Sequence, residues 1–340
     1  MSSTSRRSLV LGFAGGIALM IGLLWVVEGA RVGAILRRAD PVLFGLAIGF
    51  ALLWLVAWGL MLRTVLGAVG VQVSTTTSFF VHVTAVFANN VTPFAQAGGE
   101  PVTALLVSRV SDTPYETSLA GIASVDVLNA VSSIGLMTFG VAVYAGSVTL
   151  GSGLYVVVGS TLGFAVITLV VFLLLWQYRT ALTARVAGAV STAVGWVQWG
   201  PLASRPLSEA DIADRMRGFF GSVERVAKNR RGVVVALGLS TVGWLLQAVA
   251  LVTTFAALGE ALPLGVALFV IPLSNLAGVT PLPGGLGGIE AALVALIVPT
   301  TGISAAVVTA AVLLFRVTVY WIPVALGGTS ATAYSVGALS

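Results

Sequence analysis

No cysteine occurs in the 340-residue chain, and His82 is its one histidine. The first absence excludes a disulfide framework, a thiolate zinc site and a cysteine nucleophile. The second excludes multi-histidine metal sites and leaves a serine–histidine triad with a single candidate base. Charge is scarce as well. Only 9% of residues are charged, against about 25% in an average soluble domain. Hydrophobic residues make up 58%, and the mean hydropathy is +1.05. Such a chain cannot clothe a soluble globule in polar surface, so an ordinary cytosolic enzyme is excluded. Intrinsic disorder needs low hydrophobicity and is excluded too. The remaining class is an all-α polytopic membrane protein, folded as a single transmembrane domain over 1–340. The net charge of +5 reports topology and contact with anionic inner-leaflet lipid, not nucleic acid. Cofactor and enzyme motifs are missing. The glycines at 284–288 are not followed by Gly-Lys-Ser/Thr, and no G-x-G-x-x-G, G-x-S-x-G or H-E-x-x-H occurs. No cofactor or metal is expected. A membrane glycosyltransferase should carry a carboxylate cluster in an early outer loop, where this chain has only Glu28 and Asp40.

Six uninterrupted apolar stretches are long enough to span a bilayer: 9–27, 42–62, 118–145, 153–177, 233–258 and 303–327. The first follows Arg6 and Arg7 but is too long for a signal-peptide core and has no A-x-A site after it, so it is read as a retained helix. Two further apolar regions are broken. Ser78 to Ser108 is interrupted around Pro93, Gly98, Gly99 and Pro101; Leu264 to Pro299 is interrupted around Pro281, Pro283 and the glycines at 284–288. Proline removes a helical donor and paired glycines ease non-helical backbone, so each region predicts two half-helices around an unwound centre. The long polar segment 178–232 carries nine cations, which places it in the cytoplasm. Within it, Ile212, Met216, Phe219, Phe220, Val223 and Val226 fall at helical spacing. They form the apolar face of an amphipathic helix that lies either on the inner leaflet or on the protein's own cytoplasmic face. Leu182 to Trp199 is a second candidate interfacial helix.

The two broken regions match. Val91-Thr92-Pro93 corresponds to Val279-Thr280-Pro281, and Gly98-Gly99-Glu100 to Gly287-Gly288-Ile289-Glu290, with Asn90 and Asn275 before each. The glutamates are 190 residues apart, and the flanking helices recur at nearly the same offset. The chain is therefore read as repeat 1 over 42–145 and repeat 2 over 233–327. Two topologies each put 13 cations inside. Arg6, Arg7, Arg63, Arg109 and the nine loop cations do so if the first broken region is re-entrant; Arg31, Arg37, Arg38, Arg109 and the nine do so if it crosses. The count ties. The re-entrant reading, with two apolar arms around each break, gives repeats of opposite topology, the plan of many transporters.

Irregular backbone inside a membrane survives only where protein buries it or a wet cavity receives it. The candidate substrate-binding residues are accordingly those at the breaks: Asn90, Thr92, Gly98, Gly99 and Glu100 in the first, and Asn275, Thr280, Gly287, Gly288 and Glu290 in the second. A charge at the bilayer centre costs about 2.5–3.5 kcal/mol on insertion scales, so the two glutamates are read as functional, as caps of their half-helices, or both. Asp126 and Arg316 are also intramembrane charges 190 residues apart. Facing one another across a pseudo-symmetry axis, they would form an ion pair or a coupling element. Asn129 would share the face of Asp126. His82 is read as a satisfied helix residue.

Thr-Pro-Phe-Ala-Gln-Ala-Gly-Gly-Glu-Pro at 92–101 and Pro-Leu-Pro-Gly-Gly-Leu-Gly-Gly-Ile-Glu at 281–290 resemble the paired signatures of a flippase-like membrane family. That family includes the N-terminal transmembrane half of lysylphosphatidylglycerol synthases. The form of the first motif resembles archaeal members, and the resemblance spans nearly the whole chain. It implies movement of a membrane lipid or lipid-linked headgroup between leaflets. Arg316 matches an arginine common in the family's last conserved helix. The chain departs from the family at Val102-Thr103, where many members have an arginine, and at Val125-Asp126, where many have an acidic–arginine pair. The soluble aminoacyl-transferring half is absent, so lysylation is not implied. Two other readings stand beside the transporter: a membrane-embedded enzyme acting on a lipid-linked sugar or phosphate, and a non-transporting scaffold.

Overall fold

The computed structural model describes residues 29–92, 96–147, 209–279 and 282–335, with a few single positions elsewhere. Among the described residues the chain is helical, with no strand. The helices are α1 (Gly29–Leu36), α2 (Pro41–Ala68), α3 (Thr75–Val91), α4 (Gln96–Ser111), α5 (Tyr115–Ser147), α6 (Glu209–Lys228), α7 (Arg230–Ala257), α8 (Leu264–Asn275), α9 (Gly288–Thr301), α10 (Ala305–Arg316) and α11 (Ile322–Ser335). A π-helical turn, Val317–Trp321, joins α10 to α11. Five helical stretches are long and apolar enough to cross a membrane: Pro41–Ala68, Tyr115–Gly146, Arg230–Ala257, Pro283–Thr301 and Ala305–Thr332. The fourth is the returning arm of the second broken region with the 3₁₀ turn before it. The predicted spans 42–62, 118–145, 233–258 and 303–327 fall on four of these; 9–27, 153–177 and the stretch 182–199 lie outside the described residues.

Local chemistry sets the helix starts. Asp40 precedes Pro41, whose missing N–H costs nothing at a first helical position, and the Asp40 carboxylate accepts from Val42 N at 2.8 Å and Leu43 N at 3.1 Å. The Asn229 side chain accepts from Gly232 N at 3.0 Å and starts α7. Each of these helices has 28 residues, or about 42 Å at 1.5 Å per residue.

Among the described residues the broadest helix interface is α2 against α7. Lipid tails are as apolar as leucine, so close packing and interhelical hydrogen bonds, not hydrophobicity, must hold such a pair together. Gly243 lets the Trp58 indole lie against α7, where its N–H donates to Ser240 O at 3.4 Å. Asn129 of α5 joins the same junction: its carbonyl accepts from Trp244 Nε1 at 3.3 Å, and its side chain meets Ser240 Oγ at 2.5 Å.

Contacts at the helix ends orient the rest. The start of α2 meets the end of α7, with Asp40 N donating to Ala257 O at 2.8 Å. The ends of α5 and α9 lie at that same end, with Tyr144 Oη donating to Thr300 O at 2.8 Å. At the opposite end α6 crosses the bundle. Arg225 donates to Val69 O at 3.2 Å and Arg215 pairs with Glu116 at 2.8 Å. The α3–α4 hairpin therefore opens toward α6, and the α8–α9 hairpin opens away from it. α5 packs on α8, and α11 packs on α3, so each repeat contributes a helix to the other's hairpin. Of the two placements open for the amphipathic helix, α6 takes the one on the protein: Ser222 and Val226 are buried, and Val226 joins a core cluster with Val69, Val81, Val107 and Ile122.

Close approach of backbones should be most sensitive where α5 crosses α8. A Cβ on Gly140 would sit 2.7 Å from Gly265 O and from Leu268 Cβ. Gly140→Leu should cost about 1–3 kcal/mol, the usual range for overpacking, in detergent unfolding. Gly135→Leu, where nothing lies within 4 Å of a new Cβ, should leave the unfolding midpoint nearly unchanged.

Candidate functional site

The second break is a run of turns. Gly284, Gly285 and Gly287 have φ of +55°, +65° and +82°, in the left-handed region that glycine enters without steric cost. A Cβ on Gly284 would collide with the Tyr320 ring and with Asn90 O and Oδ1. Glycine at 284 thus serves two needs, the turn and the close approach of three elements.

Glu290 stands in the first turn of α9 and is 0% exposed. Its Oε2 accepts from Gly287 N at 2.6 Å, so the carboxylate reaches back to the residue before the helix. Its Oε1 accepts from Arg316 Nε at 2.6 Å. Arg316, 8% exposed at its side chain, also donates from Nη2 to Gly284 O at 3.0 Å. Its guanidinium lies over the Tyr320 ring, 4.6 Å from the centroid, a favourable cation–π position. Tyr320 Oη then donates to Asn90 O at 3.1 Å, in the last turn of α3. Five residues therefore run as a chain from the second break to the first.

The first break is built differently. At Gly99, α4 crosses α3 so closely that a Cβ would overlap the Asn89 side chain. Thr92 closes α3 by donating from Oγ1 to Ala88 O at 2.7 Å. Glu100 is partly exposed, and its carboxyl neighbours that of Asp126 on α5. Gly98 lies in the first turn of α4, Asn275 ends α8 and Gly288 begins α9. Thr280 lies outside the described residues.

Asp126 does not pair with Arg316 as expected: Arg316 is bound to Glu290, and Asp126 neighbours Glu100. The reason lies in the packing. α2 and α7 are the equivalent helices that meet broadly, whereas α5 packs mainly on α8 and α10 mainly on α9 and α1. Equivalent positions meet only near the axis relating the repeats, and 126 and 316 are not there. Glu290, expected among the substrate contacts, has both oxygens engaged inside the protein. His82 is buried with its ring edge-on to Trp58 at 6.1 Å, and Nε2 has no hydrogen-bond partner among the described residues, so it is not satisfied as expected. Tyr320 and Gly284 were missed by the sequence reading. The signal for Tyr320 was its position four residues after Arg316, on one face of a helix.

The architecture is that of a polytopic all-α membrane protein whose two broken hairpins enter from opposite ends. The profile of the family described as lysylphosphatidylglycerol synthase TM region matches residues 12–327. The chain belongs to that family. It is similar to two UPF0104 membrane proteins of Methanothermobacter thermautotrophicus. One is 24% identical over 317 residues, covering 92% of this chain and 91% of the relative; the other is 28% identical over 347 residues, covering 97% and 94%. A UPF0104 membrane protein of Pyrococcus horikoshii is 24% identical over 319 residues, covering 92% and 93%.

Breaking a buried ion pair leaves an uncompensated charge. Glu290→Gln and Arg316→Gln should each lower stability by about 3–5 kcal/mol, and the double variant should lose less than the two together. Asp126→Asn combined with Arg316→Gln should be additive within about 0.5 kcal/mol. Strong coupling in that second cycle would restore a direct 126–316 contact.

Proposed function

We propose that this protein is a flippase-like transporter that moves a lipid or lipid-linked headgroup between leaflets, rather than an enzyme. The observation that carries this reading is the meeting of two hairpin breaks, approached from opposite ends, at the Asn90–Tyr320–Gly284 contact. A headgroup crossing a bilayer needs polar groups at mid-depth and a route from each side, and opposed broken hairpins supply both. The partly exposed Glu100 would receive the headgroup, with Asn90, Thr92, Gly98 and Gly99 on one side and Asn275, Thr280, Gly287 and Gly288 on the other. The tails would stay in lipid against apolar side chains such as Leu53 and Phe139, 54% and 59% exposed.

The protein would sit in the cell membrane with α6 on the cytoplasmic side. There the exposed Arg230 and Arg231 beside α6 would meet anionic inner-leaflet lipid. A cysteine in 214–228 should then label only from inside and one at 302 only from outside, against a chain with no native cysteine. The reverse pattern would invert the orientation.

Proteoliposomes carrying a headgroup-labelled lipid provide the test. The protein should relocate labelled lipid without altering it, and Glu100→Gln should slow relocation by about tenfold, equivalent to about 1.4 kcal/mol on the barrier. Chemically altered lipid by mass spectrometry would mean an enzyme. Neither relocation nor alteration, across neutral and anionic lipids, would mean a scaffold.

A further inference from the structure

Glu100 and Asp126 stand 190 residues before Glu290 and Arg316, at the matched positions of the first repeat. In each repeat the glutamate beside the break reaches the matched residue of the following helix. The two contacts differ in kind. In the second repeat a carboxylate meets a guanidinium, which keeps its charge under all conditions a protein meets. That guanidinium also holds the Gly284 carbonyl and lies on Tyr320. In the first repeat two acids meet. Two carboxyl groups side by side cannot form the ion pair that the second repeat has, and as like charges they repel.

Nothing nearby replaces the missing cation among the described residues. On α3 the titratable residue is His82, which faces Trp58 of α2. On α5 the other acid, Glu116, is bound to Arg215 of α6. On α4 the cation is Arg109, in the last turn and away from the break. Burial differs too. Glu290 is fully enclosed, whereas Glu100 is partly exposed and Asp126 exposed. Where α4 crosses α3 at Gly99, the buried Oδ1 of Asn89 has no hydrogen-bond partner among the described residues. Exposed and polar-unsatisfied segments are where proteins open first.

We propose that the α3–α4 hairpin is the moving half of the molecule and the α8–α9 hairpin the fixed half, because an acid at 126 leaves the first hairpin without the lock that Arg316 gives the second. The proposal rests on the transporter reading for its use, but its test reads motion alone, so lipid movement can fail without touching it.

Hydrogen exchange of the full chain in lipid nanodiscs should show amides of 96–104 exchanging about tenfold or more faster than those of 288–296. Asp126→Arg installs the second repeat's pairing and should bring the two segments within about twofold of each other. Asp126→Asn can donate to Glu100 and should move 96–104 in the same direction by less. Spin labels on Leu105→Cys and Val127→Cys should give a broad distance distribution that narrows in the arginine variant. Equal protection of the two segments in the unaltered protein would overturn the proposal by itself. So would a folded Asp126→Arg protein in which neither reading changes.

Discussion

The contact on which the interior depends is the buried pair of Glu290 and Arg316. Neither charge could stay alone at that depth, and each is matched by the other at 2.6 Å. The pair is not isolated. Glu290 fixes the start of α9 through Gly287, and Arg316 fixes the turn before it through Gly284. One carboxylate and one guanidinium thereby satisfy backbone groups that an unwound segment exposes, which lipid could not do. Tyr320 extends the same network to the end of α3. The irregular centre of the second repeat is thus bonded through Tyr320 to the end of α3, where the first repeat's break begins.

Repetition accounts for the layout and departure from it accounts for the asymmetry. α2 and α7 pack along one another, and each repeat lends a helix to the other's hairpin. Within that scheme every matched pair of residues could carry the same chemistry, and at 100 and 290 it does. At 126 and 316 it does not: an acid stands where the other half has a base. Local contacts, not the symmetry relation, decide what each charge meets. The glutamate in the same repeat lies within reach, and the matched residue of the other repeat does not.

Long apolar helices exposed to lipid gain little by touching one another, so specificity here comes from small residues and polar bonds. Gly140, Gly243 and Gly99 each admit a neighbouring backbone or ring that a Cβ would exclude. Asn129, Ser240, Trp58 and Trp244 tie three helices with hydrogen bonds. The amphipathic α6 follows ordinary aqueous rules instead. It buries Val226 and Ser222 on the bundle's end and leaves Arg217 and Lys228 outward, while Arg215 pairs with Glu116 and Arg225 satisfies the carbonyl of Val69 just beyond α2.

By itself the sequence determined the membrane class, the four described long spans and an interruption in each broken region, because length, hydropathy, proline and paired glycine act over a few neighbouring residues. At the first, the interruption lies before Gln96, and Gly98, Gly99, Glu100 and Pro101 are already helical. It marked Glu100, Asp126, Glu290 and Arg316 as the intramembrane charges that needed explanation, since a charge in an apolar run is visible without a fold. Only the tertiary structure decided their partners. Glu290 and Arg316 are 26 residues apart, Glu100 and Asp126 also 26, and nothing in that spacing says which acid meets which base. The choice depends on how α9 packs on α10 and α4 on α5. Tyr320 and Asn90 are 230 residues apart, and their contact exists only because α11 packs on α3. The seat of α6 was decided in the same way, because an apolar stripe fits a lipid surface or a protein surface equally well until the surface is there.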